Sequence, residues 1–400
     1  MPISIYLHIP FCLSKCHYCD FVSGYIPDEE ILNDYIDSLC KEIVLFKNKY
    51  HIMDSVFTIY LGGGTPSLLM PKHLRKILDA LQKNFNLQSK ENTIEANPED
   101  VTKEKAIFWK EIGFNRISLG FQSMNDYILK FLGRRNSEKS NIKAFEILRL
   151  AGFKNISVDL ITSIRGDRIK KNLNKVINLM PEHISTYELS IEEGTRLHQK
   201  YQTKEYKPIS TQTSLQNYWN LHKELCSAGY IHYEISNYAI SNKFASIHNM
   251  NYWNYGSYLG FGLGASGFIN GFSNEFTNFE YINSKSKGYR WTNTKNLKEY
   301  TEKIKGNILP VELEEKIDKK KAIKEYIMVG LRKMEGIDLK EMKNLFNIDP
   351  LLILSKIMDS SLKKMILKKS SKVRLTNRGI NLLNWVTKML WSIVDTIPII

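Results

Sequence analysis

Short runs rich in β-branched and aromatic residues alternate with longer stretches of helical period through the first two-thirds of the chain. SIYLHIP, VFTIYLGGG, NTIEANP, RISLGFQS, NISVDLI, HISTYELS and HYEISNY read as strands. Between them, segments 29–48, 71–85, 103–112, 138–151, 169–179 and 211–228 repeat apolar residues at helical spacing. A βα unit repeated in this way predicts an α/β fold: a parallel sheet with helices outside, closed or partly closed into a TIM-like (β/α) barrel. The loops that follow the strands should then carry the chemistry. The sharpest punctuation lies there, with cysteines after the first strand and Gly62-Gly63-Gly64-Thr65-Pro66 after the second.

From about 285 the pattern turns polar and lysine-rich, as a connector would. Beyond it, helices near 321–334, 339–346 and 350–358 precede two short strands, MILKK and KVRLT, and a last helix. The expected division is a barrel over 1–285, a connector over 286–320 and a small winged-helix-like α/β domain over 321–400. Such a domain often binds DNA, but the fold alone is analogy. The apolar tail NLLNWVTKMLWSIVDTIPII is interrupted by Asn384, Lys388 and Asp395, while Leu382, Leu383, Val386, Met389, Leu390, Ile393 and Val394 keep helical spacing. An amphipathic closing helix packed on its own domain is expected, with at most peripheral membrane contact.

With 400 residues, 43% hydrophobic and 24% charged, the composition is neither disordered nor fibrous and supports a large core. The net charge of +14 reports attraction to anions without saying which, and lysine runs such as Lys319-Lys320-Lys321 account for part of it as a solvated surface. MPISIYLHIPFC has no basic region followed by an apolar run, so a secretory signal is not expected and a cytoplasmic location is. The five cysteines are Cys12, Cys16, Cys19, Cys40 and Cys226; three fall within eight positions, a pattern that suits a metal in a reducing compartment better than disulfides.

Cys12, Cys16 and Cys19 form C-x3-C-x2-C, a loop short enough to wrap three thiolates around three corners of an iron-sulfur cubane and leave the fourth iron open to a reactant. A zinc knuckle would need a fourth ligand, for which His17 is poorly placed in so tight a loop. With Tyr18 before the third cysteine and the glycine run at the next strand end, the chain resembles the radical S-adenosylmethionine (SAM) superfamily. The resemblance implies a [4Fe-4S] cluster that cleaves the carbon-sulfur bond of SAM reductively, in a partial barrel of the radical SAM type. It extends to TIEANP, RISLGFQS, LGRRN and SVDLI, and so carries over SAM contacts to Tyr6, Tyr18, Gly63, Gly64, Thr65, Glu95, Gln122, Arg134 and Asp159. Their chemistry suits: Glu95 can accept from the SAM ammonium, Arg134 can fork onto its carboxylate, and Asp159 can accept from ribose hydroxyls.

YLHIPFCLSKCHYCDF, IEANPE, SLGFQS, PEHISTYELSIEEGT, HYEISNYA and HNMNYW are similar to the oxygen-independent coproporphyrinogen III oxidase group, which contains both oxidases and haem chaperones of the HemW type. The oxidases usually add a cysteine where Phe21 stands and carry a longer arm before the cluster motif, whereas HNMNYW matches an H-N-x-x-Y-W signature linked to haem in the chaperones. A chaperone delivering haem to an acceptor protein is therefore expected. His248 would ligate iron within the loop 248–253, and Asn249, Tyr252 and Trp253 would line the porphyrin. The oxidase reaction is the alternative, and an RNA-modifying enzyme, suggested by the basic charge, a second; no nucleic-acid partner is expected, and a homodimer is compatible. Two departures stand out: Thr162-Ser163-Ile164-Arg165-Gly166-Asp167 replaces a Y-G-L-P-G-Q turn, and Asn136 stands where the group has histidine.

Overall fold

A computed structural model describes residues 3–51, 55–273, 288–358 and 360–398. Its strands are β1 (Ile3–Ile9), β2 (Phe11–Cys12), β3 (Gly24–Tyr25), β4 (Ser55–Gly63), β5 (Asn86–Ala96), β6 (Arg116–Gln122), β7 (Ile156–Thr162), β8 (His183–Glu188), β9 (Ile231–Glu234), β10 (Asn237–Ala239), β11 (Tyr258–Phe261), β12 (Ser266–Asn270), β13 (Gly288–Asn293) and β14 (Val311–Ile317). All but β2 and β3 join one sheet, in the order β14-β13-β12-β11-β1-β4-β5-β6-β7-β8-β10-β9. Pairing is parallel from β11 through β1 to β8 and antiparallel at both flanks. The two end strands do not pair with each other, so the barrel is partial, as the repeated βα pattern predicts.

Strand alternation sorts the side chains by chemistry. One phase is apolar and buried beneath the helices: Ile3, Ile5, Leu7 and Ile9 on β1, Ile117, Leu119 and Phe121 on β6, Ile156, Val158 and Leu160 on β7. The opposite phase is polar and meets inside the curve. Thr58 donates to Ser4 Oγ at 2.8 Å, Tyr60 to Glu95 Oε1 at 2.8 Å and Ser118 to Asp159 Oδ2 at 2.7 Å, while Ser157 Oγ and His183 Nδ1 lie 2.8 Å apart. Buried polar groups must find partners, and here each row supplies the next.

The helices Glu29–Tyr50, Pro71–Asn84, Lys103–Glu111, Glu138–Leu150, Ile169–Asn178 and Thr211–Ser227 occupy the expected segments. Their starts are written locally: Asp28 Oδ1 accepts from Ile31 N at 2.9 Å, and Ser137 and Ser140 form a capping box. HYEISNY differs from the single strand expected, because Ile235 and Ser236 turn it into the antiparallel pair β9 and β10.

The stretch expected as a connector is built into the sheet. The 285/286 boundary lies outside the described residues, but from Gly288 onward β13, the helix Leu297–Lys305 and β14 extend the flank. VELEEKI reads as a linker because β14 is an edge strand whose outward charges guard it. Residues Tyr289 and Trp291 of β13 are buried under the first helix. After it, β15 (Ile337–Asp338), β16 (Ile366–Lys369) and β17 (Lys372–Leu375) form a small sheet in the order β15-β17-β16 beside the helices Lys319–Gly330, Leu339–Phe346 and Leu351–Met358. The last helix, Leu383–Asp395, buries Val386, Leu390 and Val394 in this unit, and Trp391 Nε1 donates to Lys324 O at 2.7 Å. Among the described residues no helix is long and apolar enough to cross a membrane.

Candidate cluster and cofactor site

At the C-terminal ends of the parallel strands lies a cavity of about 360 Å³, walled by the cysteine loop and by strand ends from β4 to β8. The loop between Cys12 and Cys19 is pinned on all sides. Gly64 N donates to Ile9 O at 2.7 Å, Ile26 N to Cys12 O at 2.9 Å, and Leu197 N to His17 O at 2.7 Å. His17 turns away from the cavity and lies with Nδ1 2.7 Å from Phe131 O, so it anchors the loop and supplies no fourth ligand. Cys12, Cys16 and Cys19 are free thiols on the cavity wall. Thr65 Oγ1 donates to Cys12 Sγ at 3.3 Å and Arg134 Nη1 approaches Cys16 Sγ at 3.5 Å. Burial pushes the Cys12 and Cys19 thiols above their ordinary range. Three thiols on one wall are the donor set for three corners of a [4Fe-4S] cluster.

The glycine run fits as well, for a reason its sequence does not reveal. A Cβ on Gly64 would stand 2.8 Å from both Ile9 O and Phe11 O, and one on Gly62 would stand 3.0 Å from Glu95 Oε1. Gly63, at φ +111°, would drive a Cβ to 2.5 Å from the His8 ring. Bare backbone is thus what lets the end of β4 lie against the start of the cysteine loop and bring Thr65 to Cys12.

Glu95 accepts from Tyr60 Oη at 2.8 Å and from Gly63 N at 3.1 Å, and burial pushes its carboxyl up to about 7. Asp159 accepts from Ser118 and, at 3.2 Å, from Ser157; burial raises it too. Arg134 is held as a fork: Nη2 donates to Asn97 Oδ1 at 2.7 Å and Gly120 O at 2.8 Å, and Nε to Asn136 Oδ1 at 3.0 Å. Asn136 in turn donates to Phe121 O at 3.0 Å and Asn141 Oδ1 at 2.7 Å, so the departure from histidine leaves the arginine supported. Gln122 sits at φ +63° where the β6–β7 register slips, a strained backbone at the cavity rim. In the divergent 162–167 loop Thr162, Ser163 and Ile164 are buried, Ile164 in a cluster against which Tyr18 packs, with Ser163 Oγ 2.9 Å from Ser214 Oγ and Arg165 Nη2 donating to Pro208 O at 3.0 Å; Ile161, just before it, lines the cavity.

Cys12, Cys16, Cys19, Tyr18, Gly63, Gly64, Thr65, Glu95, Gln122, Arg134 and Asp159 therefore line one cavity. Tyr6 does not; its hydroxyl lies 2.9 Å from His8 Nδ1, and His8 Nε2 lies 2.7 Å from Val22 O, supporting the loop from below. Tyr60, Asn97, Ser118 and Tyr187 line the cavity without having been singled out. Their signal is the strand phase: Tyr60, Ser118 and Tyr187 fall on the same face as Glu95 and Asp159.

His248, Asn249, Tyr252 and Trp253 lie at the other end of the barrel, on a helix, Ile247–Trp253, rather than a loop. Glu91 accepts from His248 N at 3.0 Å and from Ile247 N at 3.1 Å at its start, and Asn249 N donates to Ser246 Oγ at 3.3 Å. The element is thus a helix where a loop was expected, and both ring nitrogens of His248 meet protein hydroxyls. Its side chain is 1% exposed, with Nδ1 2.8 Å from Thr58 Oγ1 and Nε2 2.8 Å from Tyr252 Oη, and burial lowers its pKa to about 3. The imidazole completes the polar floor made by Ser4 and Thr58. Tyr252 stands edge-on to Tyr258 at 4.7 Å.

A family model described as the Radical SAM superfamily matches residues 6–173. The heme chaperone HemW of Lactococcus lactis subsp. lactis is 32% identical over 391 residues, covering 96% of both chains. That of Bacillus subtilis is 32% identical over 383 residues, 94% of this chain and 96% of its own. Among solved structures, that of coproporphyrinogen III oxidase (HemN) from Escherichia coli, a radical SAM enzyme, covers 99% of this chain and 90% of its own with a TM-score of 0.81. At 19% identity this likeness shows a shared fold.

Proposed function

Because this chain belongs to the radical SAM superfamily, and within it to the family of the heme chaperone HemW, we propose that it binds haem and delivers it to an acceptor protein while holding a [4Fe-4S] cluster and SAM in the cavity above the barrel. Near-complete coverage of the chaperones carries this reading. Cys12, Cys16 and Cys19 would hold the cluster, whose open iron supplies reductive chemistry toward SAM when both are bound. Thr65 and Arg134 hold positive hydrogens against two of the sulfurs, Glu95 offers a carboxylate to an ammonium, and Asp159 offers one to hydroxyls. The protein would act in the cytoplasm, with membrane contact, if any, peripheral.

Haem would engage the Ile247–Trp253 helix. For His248 to reach iron, Tyr252 must release Nε2, a swing of one half-buried phenol that exchanges one hydrogen bond for a coordinate bond. Phe21, which is 60% exposed at the cavity mouth, occupies the position of the oxidases' extra cysteine and argues against decarboxylation. The test is anaerobic reconstitution followed by parallel titrations of one sample, with haem and with coproporphyrinogen III plus SAM and reductant. Haem binding without carbon dioxide release is expected. Sustained SAM-dependent release of carbon dioxide would replace the chaperone reading with the oxidase.

A further inference from the structure

Where the Ile247–Trp253 helix meets the C-terminal unit, polar hydrogens are left without acceptors. The Arg332 guanidinium lies over the Trp253 indole, 4.7 Å from the ring centre. Arg332 Nε and Trp253 Nε1 are nevertheless both sealed from solvent, and among the described residues neither has a hydrogen-bond partner. One residue further along each segment, the buried Lys333 ammonium reaches Asn254 Oδ1 at 2.7 Å, with Glu335 3.9 Å away. Glu234, the nearby buried carboxyl, accepts from Ser236 N at 3.2 Å, and burial pushes it up to about 7 despite the pull of Arg332.

This seam is not a loose surface. Ile235 N donates to Arg332 O and Met334 N to Tyr233 O, each at 3.0 Å, so the backbone of 332–334 is stitched to the barrel's edge strand. A guanidinium N–H and an indole N–H are thus left without acceptors side by side, next to an ammonium held by Asn254. Buried donors without acceptors cost free energy, and their persistence at one place calls for a partner that supplies oxygen. A guanidinium that lies over an aromatic face keeps its N–H groups for acceptors beside the ring, and its planar fork matches a carboxylate.

We propose that Arg332 and Trp253, with Lys333 adding charge, form a carboxylate site for a propionate of haem at the seam between the barrel and the C-terminal unit. This rests on the haem reading above and adds to it a residue outside the H-N-x-x-Y-W segment. The porphyrin carries its carboxylates on one edge, so anchoring that edge here sets which edge of the macrocycle lies against the C-terminal unit beside the helix that bears Tyr252 and His248.

The test titrates the full-length, cluster-loaded protein with haem and with haem dimethyl ester, which lacks the carboxylates. Wild type is expected to bind haem on the order of tenfold more tightly than the ester, as a charge-assisted hydrogen bond is worth. Arg332→Met, which keeps the stem over the indole, is expected to bind both probes alike, with the cluster spectrum unchanged; Arg332→Lys keeps charge but loses Nε–H and should lose most of the preference. Equal binding of the two probes by wild type overturns the site and leaves the haem reading standing, a conclusion that needs no variant to fold. A preference as large as wild type's in either variant removes Arg332 from it. Wild type that binds neither probe overturns the haem reading and this inference together.

Discussion

SAM affinity is expected to depend on pH through Glu95. In the cavity this carboxyl is pushed up to about 7 by burial, against the pull of the Tyr60 hydroxyl at 2.8 Å and the Gly63 amide at 3.1 Å. An ammonium seated beside it needs the carboxylate form. With a pKa near 7, about one molecule in eleven is ionised at pH 6 and about ten in eleven at pH 8, so affinity should rise roughly tenfold across that window, about 1.4 kcal/mol. The sign follows from the raised pKa: the productive form is lost as pH falls through 7. Isothermal titration of cluster-loaded protein with SAM at pH 6, 7 and 8 measures it. Glu95→Gln should bind weakly and lose most of the slope; any remainder belongs to Asp159, also raised by burial. A flat wild-type profile, or an equal slope in the variant, would refute the role given to Glu95.

Replacing Cys12, Cys16 and Cys19 together by alanine should abolish the brown chromophore while changing the unfolding free energy measured in urea by less than about 1 kcal/mol, since the loop lies above the apolar core. Iron and sulfide retained in full would sink the ligand set. Gly64→Ala should cost about 1–3 kcal/mol and depress iron loading, because its Cβ meets the Ile9 and Phe11 carbonyls at 2.8 Å; normal loading and melting would show that the strand end is not tight. His248→Ala should lower stability by about 2–4 kcal/mol, since it opens a cavity and leaves Thr58 and Tyr252 without their partner, and should also weaken haem binding with a shifted Soret band. A variant as stable as wild type would contradict the buried placement, and an unchanged haem spectrum would move the iron ligand elsewhere.

Much of the barrel is legible in the chain because its signals are local. Period-two runs such as RISLGFQS and helical runs such as 138–151 carry their own pattern, and caps such as Ser137 mark where helices begin. The cavity residues are legible for a different reason: Glu95, Gln122 and Asp159 are carried over from the resemblance of TIEANP, RISLGFQS and SVDLI to the radical SAM superfamily, and the strand order brings them to one cavity. Tyr60 carries no motif, and Asn97 sits unremarked within TIEANP; both become visible only when neighbouring strands are in register. The 288–317 stretch misleads because charge on an edge strand looks like charge on a linker. His248 shows the limit of a motif most clearly: HNMNYW names the residues, but whether the imidazole faces a ligand or Thr58 depends on contacts with strands almost two hundred positions away.

The most direct test of the cluster and cofactor site is the electron paramagnetic resonance spectrum of the anaerobically reconstituted, reduced protein, recorded with and without SAM. The expected result is a [4Fe-4S] signal, absent from the triple cysteine variant, whose g values move when SAM occupies the open iron. A signal that SAM leaves unchanged, or one that survives loss of Cys12, Cys16 and Cys19, would contradict the assignment of this cavity.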